Sequence, residues 1–346
     1  MIFRQLFDGL SCTYTYILGN EETGEALIID PVLEKTERYI QLLDELGLKL
    51  VKALDTHLHA DHVTALGALR DRLGCITVMG RQSAVDMVSM RLDDGDVIEL
   101  GDISLRALHT PGHTDDSYCY LMADRVFTGD TLLIRGTGRT DFQNGDPVAG
   151  YHSVFEKLLS LPGDTLVYPG HDYKGDTLST IAEEKAHNPR LQVSGADEYA
   201  AIMDNLNLPN PKMMDLAVAA NLTIGASVFD PMVEENTLCV AEARRCMEKD
   251  EALFIDLREA PERRKAGVIP GSLHAPYAEL SGHIQPGGML RELAAGNART
   301  MILYCAHGER SALALRALKD AGMENVRHLG GGFDAWMRDG GPAAGR

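Results

Sequence analysis

Seven side chains between positions 57 and 171 have the chemistry of metal ligands. His57, His59, Asp61 and His62 fall together in THLHADH (56–62), directly after an apolar run. His113 follows in TPGHTDDS, Asp130 in FTGDT and His171 in YPGHDY. A glycine stands beside each of these later donors, which permits the tight backbone that aims a side chain inward from a loop. Imidazole with carboxylate suits zinc or non-haem iron; calcium and magnesium prefer all-oxygen shells. His109, His152 and His187 lack such company and read as exposed or hydrogen-bonded histidines.

A second reactive group lies far downstream. TMILYCAHGERSALALRALKDAG (300–322) reads as a buried strand, a short loop and an amphipathic helix. Cys305 ends the strand, and the loop's backbone N–H groups can curl around its sulfur beside a positive helix N-terminus. That placement favours a thiolate or a bound persulfide. Arg310 adds positive charge, and Ser311 is placed as the helix N-cap. Strand, cysteine, loop, arginine and helix in that order suit a phosphatase or a sulfurtransferase. Cys12, Cys75, Cys119, Cys239 and Cys246 read as structural thiols, and the scatter of all six argues for reduced cysteines.

These groups must be positioned by two separate cores, because 346 residues exceed what one core usually holds. In the first, ALIID (26–30) and VKALD (51–55) read as strands, and 36–46 as a helix stopped by Gly47. Residues 96–110 and 119–130 read as hairpins, turning at Gly101-Asp102 and near Ala123-Asp124. The character changes over 205–236, where prolines and turn asparagines mark a wrapping segment and a linker. Strands and helices then alternate to the end, which indicates a small α/β domain with a parallel sheet. The boundaries expected are 1–225 for the first domain, 226–237 for the linker and 238–346 for the second domain.

The net charge of −18 argues against nucleic acid or an anionic membrane as partner. No stretch reaches the roughly 18 apolar residues of a membrane span. Arg4 and Asp8 interrupt the N-terminal segment, which does not read as a secretory signal, so a cytoplasmic location is expected.

H-x-H-x-D-H after a strand, then a glycine-preceded histidine, T-G-D and a later G-H-D, resembles the metallo-β-lactamase superfamily. The implied fold is an αββα sandwich with the metal at the sheet edge, so the chain is expected to be α/β overall. Two fillings follow from that resemblance. In a two-zinc hydrolase of the glyoxalase II type, His57, His59 and His113 would hold one ion. Asp61, His62 and His171 would hold the other, Asp130 would bridge, and a hydroxide would attack a thioester. In a one-iron oxygenase, His57, His113 and Asp130 alone would bind Fe(II), leaving roughly three positions open. His59, Asp61, His62 and His171 would then orient the ligands by hydrogen bonds. Spacing leaves both open.

Flanking sequence favours the second. RGTGRTDFQNGD (135–146), HDYKG (171–175), HNPRL (187–191) and NLNLPNPKMMDLAVAAN (205–221) resemble the glutathione persulfide dioxygenase branch. The resemblance implies one iron and oxidation of glutathione persulfide by O₂ to sulfite and glutathione. Thr137 stands where many relatives of that branch would carry cysteine. Arg139 and Tyr173 are candidates to hold glutathione, Arg139 through a carboxylate and Tyr173 through its phenol. The simpler reading of Arg139 is a salt bridge with Asp141 or Asp146.

CAHGERS, with FIDLRE (254–259), GVIPGSLHAP (267–276) and LGGGFDAWMRDGGP (329–342), resembles the rhodanese domain. The resemblance implies a small α/β rhodanese domain in which Cys305 carries sulfane sulfur between thiosulfate or sulfite and glutathione or its persulfide. The pair together resembles a persulfide dioxygenase–rhodanese fusion. The partners expected are small molecules, and a homo-oligomer is compatible with the sequence, which sets no oligomeric state.

Overall fold

The computed structural model describes residues 1–206, 208, 214–222, 224, 231–296 and 299–345. The chain divides into two compact units. The first takes in Met1–Asp86 and Arg91–Ile224, the second Gly225–Arg346 with the short stretch Met87–Met90.

The first unit holds two six-stranded sheets. One runs in the order β1 (Ile2–Asp8), β2 (Thr13–Gly19), β3 (Glu25–Ile29), β4 (Lys49–Leu54), β5 (Ile76–Gly80), β6 (Met90–Leu92). The other contains β7 (Val97–Leu100), β8 (Ile103–His109), β9 (Tyr118–Leu121), β10 (Arg125–Gly129), β11 (Leu166–Pro169) and β12 (Ser179–Thr180), laid out in the reverse of chain order. Both expected hairpins form. β7 pairs with β8 through Leu100↔Ile103, which leaves Gly101-Asp102 as the turn, and β9 pairs with β10.

The two sheets face each other through aromatic side chains. Tyr16 on β2 lies 4.9 Å from Phe127 and 5.6 Å from Tyr168, ring centre to ring centre, and Phe3 joins the cluster. Tyr16 is the inward residue of an alternating strand, while its neighbour Thr15 points to the helix side and meets the hydroxyl of Tyr39 at 2.9 Å. Tyr39 belongs to the helix Thr36–Glu45, whose buried face is Tyr39, Leu42 and Leu43. Leu46, the last residue of the expected helix, lies just beyond it and is half exposed.

The topology brings the donor loops to one sheet edge. β10 and β11 are parallel neighbours, with Gly129 opposite Pro169, so Asp130 and His171 leave the same end. β8 is antiparallel to β9, and β9 to β10, so β8 runs the same way and delivers His113 to that end too. β4 of the facing sheet delivers His57.

The second unit has one five-stranded sheet, β13 (Thr237–Leu238), β17 (Val326–Leu329), β16 (Thr300–Tyr304), β14 (Ala252–Asp256), β15 (Leu273–His274), in that order. Every pairing in it is parallel. Its core joins Phe254, Ile302, Tyr304, Leu329, Phe333 and Trp336. Near-continuous apolar strands such as MILY (301–304) are what a sheet covered on both faces requires.

The segment read as a linker, 226–237, departs from that reading where it is described. Residues 226–230 lie outside the described residues, as do 207 and 209–213 of the wrapping segment. Pro231–Glu235 is a helix, and Thr237 already pairs with His328 as an edge strand. A proline at the first helical position is compatible with a helix start, which a reading of proline as linker punctuation overlooks.

Candidate metal centre and sulfur-transfer loop

His57, His113 and Asp130 each offer a ligand atom within 4.8 Å of the others. His113 Nε2 stands 3.6 Å from Asp130 Oδ2. The hydrogen bonds behind the rings settle which nitrogen faces inward. The Thr56 hydroxyl donates to Asp30 Oδ2 at 2.9 Å, so toward His57 Nδ1, also at 2.9 Å, it can only accept. His57 therefore carries its proton on Nδ1 and presents the Nε2 lone pair. His113 Nδ1 lies 2.7 Å from the carbonyl oxygen of Arg139, which accepts only, so it too presents Nε2. Burial, reinforced by His59 and His113, holds the His57 pKa well below its ordinary value, as a neutral ligand requires. Two imidazoles that present Nε2 and one carboxylate, each pinned from behind, fit a divalent iron or zinc.

The loop that follows β10 comes close to these ligands. Gly138 donates its N–H to Asp130 O at 2.7 Å. A Cβ there would collide with that oxygen and come within 2.9 Å of the His113 ring. Gln143 Nε2 donates to Leu58 O at 2.8 Å, and Phe142 sits edge-on to His113. The stretch 135–146, singled out in the sequence, thus braces the site on two sides.

His171 bridges two carboxylates. Its Nδ1 is 2.6 Å from Asp130 Oδ1 and its Nε2 is 2.9 Å from Asp61 Oδ2. Burial would lower its pKa, but Asp130 and Asp61 overcome burial and hold it well above the ordinary value. His62 Nδ1 also meets Asp61 Oδ2 at 2.9 Å, and the Thr13 hydroxyl donates to the same oxygen at 3.0 Å.

His59 lies one layer deeper, with Nε2 at 3.2 Å from Asp30 Oδ1 and 3.8 Å from Asp55 Oδ1. Burial would lower its pKa, yet Asp30 and Asp55 raise it to about 9. Burial pushes Asp55 up to about 8 against the pull of His59. A second group, His59 with Asp61 and His62, also brings ligand atoms within 4.8 Å. In it His59 Nδ1 and His62 Nε2 are buried without a hydrogen-bond partner.

Two positioning residues carry no motif of their own. Asp30 accepts from the Thr56 N–H at 2.7 Å, from its hydroxyl and from His59. It adopts φ 51°, in the left-handed region that aspartate tolerates. Asn221 donates to the carbonyls of His59 and His62 at 3.0 and 2.9 Å and accepts from Thr64 N–H, so it clamps the histidine loop. The polar type of Asp30 at a strand end was its only sequence signal.

Arg139 contributes its carbonyl to His113, but its guanidinium forms a two-pronged pair with Asp141, both contacts 2.6 Å. Tyr173 is exposed, its ring stacked parallel to His171 at 6.1 Å.

In the second unit, Cys305 is fully buried at the end of β16. Gly308 N–H donates to its sulfur at 3.1 Å. Gly308 takes φ 104°, which turns the loop back toward the cysteine. The peptide bonds of the loop are tied to the helix Gly332–Arg338, through Phe333 N–H to Cys305 O at 2.8 Å and Asp334 N–H to Ala306 O at 3.0 Å. Gly308, not Ser311, caps the helix Glu309–Asp320; Ser311 lies in its first turn and donates to Gly308 O at 2.9 Å. Arg310 is buried and paired twice with Glu262, at 2.8 and 2.7 Å. Its charge is therefore shared with a carboxylate that the sequence reading did not identify. Asp256 accepts from Arg258, Arg263 and the Tyr304 hydroxyl. Burial pushes the Cys119 thiol up to about 11, as an inert core cysteine requires.

Comparison with known proteins agrees with this division. The family described as the metallo-beta-lactamase superfamily matches residues 8–87 and 88–171, and the rhodanese-like domain matches 240–339. Persulfide dioxygenase ETHE1, mitochondrial, of Mus musculus is 50% identical over 228 residues, 65% of this chain and 89% of that protein. The crystal structure of ETHE1 from Myxococcus xanthus is 53% identical, covers 64% of this chain and 98% of its own, with a TM-score of 0.63. A metallo-beta-lactamase structure from Staphylococcus aureus covers 95% of this chain and 98% of its own at TM-score 0.62 and 22% identity, a likeness of fold. The chain belongs to the persulfide dioxygenase family, with a rhodanese domain fused behind its metallo-β-lactamase unit.

Proposed function

We propose that the first unit is a mononuclear Fe(II) dioxygenase that converts glutathione persulfide, O₂ and water to sulfite and glutathione. The observation that carries this reading is the inward convergence of His57, His113 and Asp130 while both nitrogens of His171 are taken up by Asp130 and Asp61. Iron, when bound by the first three, supplies the redox chemistry that joins oxygen to sulfur. Everything else falls to the chain's own side chains. Thr56 and the Arg139 carbonyl hold the two rings. His171 occupies Asp130 Oδ1, which leaves Oδ2 as the inward atom. His59, Asp61 and His62 brace the loop.

Arg139 takes a glutathione carboxylate in exchange for Asp141, and Tyr173, exposed beside His171, donates its phenol to the peptide part. Arg139→Ala then raises KM for glutathione persulfide; an unchanged KM returns Arg139 to a structural ion pair.

The second unit is the sulfurtransferase. The Cys305 thiolate attacks the sulfane sulfur of thiosulfate, the S–S bond breaks, and sulfite leaves with the electron pair. A glutathione thiolate then takes that sulfur from the Cys305 persulfide, giving glutathione persulfide and free Cys305; the same steps run in reverse. No helix among the described residues is long and apolar enough to cross a membrane, and we place the enzyme in the cytoplasm.

A two-zinc thioesterase is the second reading, favoured by the His59, Asp61, His62 group and its two unpartnered nitrogens. Oxygen uptake and sulfite release on glutathione persulfide separate the two. Consumption of O₂ with sulfite supports the dioxygenase; hydrolysis of acyl-glutathione without O₂ overturns it. Cys305→Ser abolishes thiosulfate-dependent transfer and spares oxygen uptake; loss of both would mean that the two activities are not independent.

A further inference from the structure

A chain of polar side chains runs inward from Cys305 and ends on a buried histidine. The Cys305 sulfur is 3.7 Å from the Ser311 hydroxyl oxygen. That oxygen is 3.2 Å from His328 Nδ1. His328 Nε2 is 2.7 Å from the Thr237 hydroxyl oxygen. Ser311 and His328 are both buried, at 0% and 5% exposure.

The protons in this chain can be placed. The Thr237 hydroxyl donates to Val233 O at 2.7 Å, so toward His328 it can only accept. His328 therefore carries its proton on Nε2, and Nδ1 is a lone pair aimed at Ser311. The groups facing the ring are the Ser311 hydroxyl from the helix Glu309–Asp320 and the Thr237 hydroxyl from β13. On β16, which pairs on the other side, the register partner of His328 is the apolar Leu303. Burial alone acts on its titration and keeps it neutral, at about 4. A neutral imidazole with a free lone pair, one hydroxyl away from a nucleophilic thiol, has a path for the proton, and the sulfur anion that forms as the proton leaves offsets the burial that otherwise holds the ring neutral.

Both protonation states satisfy the same heavy-atom positions. In the resting thiol the S–H points to Ser311, whose hydroxyl donates to Gly308 O at 2.9 Å; for the proton to pass, that hydroxyl turns to Nδ1, and Gly308 O keeps the Ala312 N–H. When the proton moves, Ser311 points to the sulfur anion and Nδ1–H points to Ser311. Sulfur passes its proton to the Ser311 oxygen and that oxygen passes its own to Nδ1, so the net change is one proton off sulfur and one onto nitrogen, and no heavy atom has to be displaced.

The geometry points to His328 as the proton acceptor for Cys305, acting through Ser311 as the thiol becomes a nucleophile. This rests on the sulfurtransferase reading only for its purpose, since any attack by Cys305 must shed the same proton. His328 thus acts through another residue, and it returns the proton once the cysteine is released as a thiol.

The test is the pH profile of Cys305 alkylation by iodoacetamide in the full chain, followed on the Cys305 peptide by mass spectrometry. His328→Asn keeps a polar atom beside Ser311 but takes no proton, and Ser311→Ala cuts the path. Each variant is expected to alkylate about tenfold more slowly at neutral pH, with the midpoint of the profile raised by about one unit. Thermal unfolding of each variant checks that the second unit is intact, and Ser311→Ala, the smaller change, stands in if His328→Asn does not fold. Two unchanged profiles overturn the relay. So does loss in Ser311→Ala with a wild-type profile in a folded His328→Asn, which would leave only a hydrogen bond to the sulfur. Failure of the wild-type chain to transfer sulfur from thiosulfate, with the expected alkylation profiles, would sink the sulfurtransferase reading and leave the relay standing.

Discussion

Replacing Thr56 by valine removes one oxygen and almost no volume, and that oxygen stands between Asp30 and His57. It accepts from His57 Nδ1–H and donates to Asp30 Oδ2, each at 2.9 Å. Asp30 keeps the Thr56 N–H and His59 after the change, so its loss is small. His57 loses its Nδ1 partner while remaining 2% exposed. A buried donor left without a partner costs roughly 1–3 kcal/mol of folding stability. Free of its tether, the ring also gives up orientation and basicity toward the metal. Loss of such an outer partner typically weakens metal binding about 10- to 100-fold, or about 1.4–2.7 kcal/mol. The assay is an anaerobic titration of the metal-stripped chain with Fe(II) against a chromophoric chelator. Thr56→Ser, which keeps the oxygen, should retain the affinity. Wild-type affinity in Thr56→Val, with a lowered melting temperature, would refute the orienting role and leave Thr56 a purely structural residue.

Gly138→Ala should displace the His113 ring or the Asp130 backbone, because the added Cβ meets both, and should lower bound metal in the purified chain with the fold retained by circular dichroism. His328 titrates at 6.5 unfolded and at about 4 folded, so between those values the unfolded state binds more protons. Stability of the second unit should therefore be flat above pH 6.5 and fall by about 3 kcal/mol as pH drops to 4. Denaturant unfolding followed by fluorescence of Trp336, the one tryptophan of the chain, reads that unit, and His328→Asn should flatten the slope. Asp256→Ala strands Arg258, which is 1% exposed, and should destabilise the second unit by about 3–5 kcal/mol in the same assay.

The strands and hairpins around the metal site were legible because alternation, turn residues and length agree over each of them. Gly101-Asp102 closes β7 onto β8 in the register that the polar and apolar positions require. The donor histidines were legible because glycine and histidine recur together at loops. Asp30 and Asn221 were not. Each acts through a partner far along the chain, Asn221 across 162 residues to His59, and such pairing leaves no periodic trace. Ser311 was misplaced for a local reason. A serine at the start of a helix reads as a cap, but Gly308, held at φ 104° by the turn around Cys305, starts the helix three residues earlier. Glu262 could not be assigned to Arg310 from sequence, since the helix that carries it (Ala260–Ala266) is shaped by its own cap and proline. Helix 231–235 and strand β13 were hidden in a stretch whose turn-forming residues resemble a linker.

The central claim is that one metal ion sits on His57, His113 and Asp130 while His59, Asp61 and His62 only support them. Anaerobic titration of the metal-stripped full chain with Fe(II), followed by metal analysis after desalting, tests it most directly. The account predicts one iron per chain in the wild type and none in His57→Ala or Asp130→Ala. Two ions per chain, or one ion retained in either variant, would contradict it.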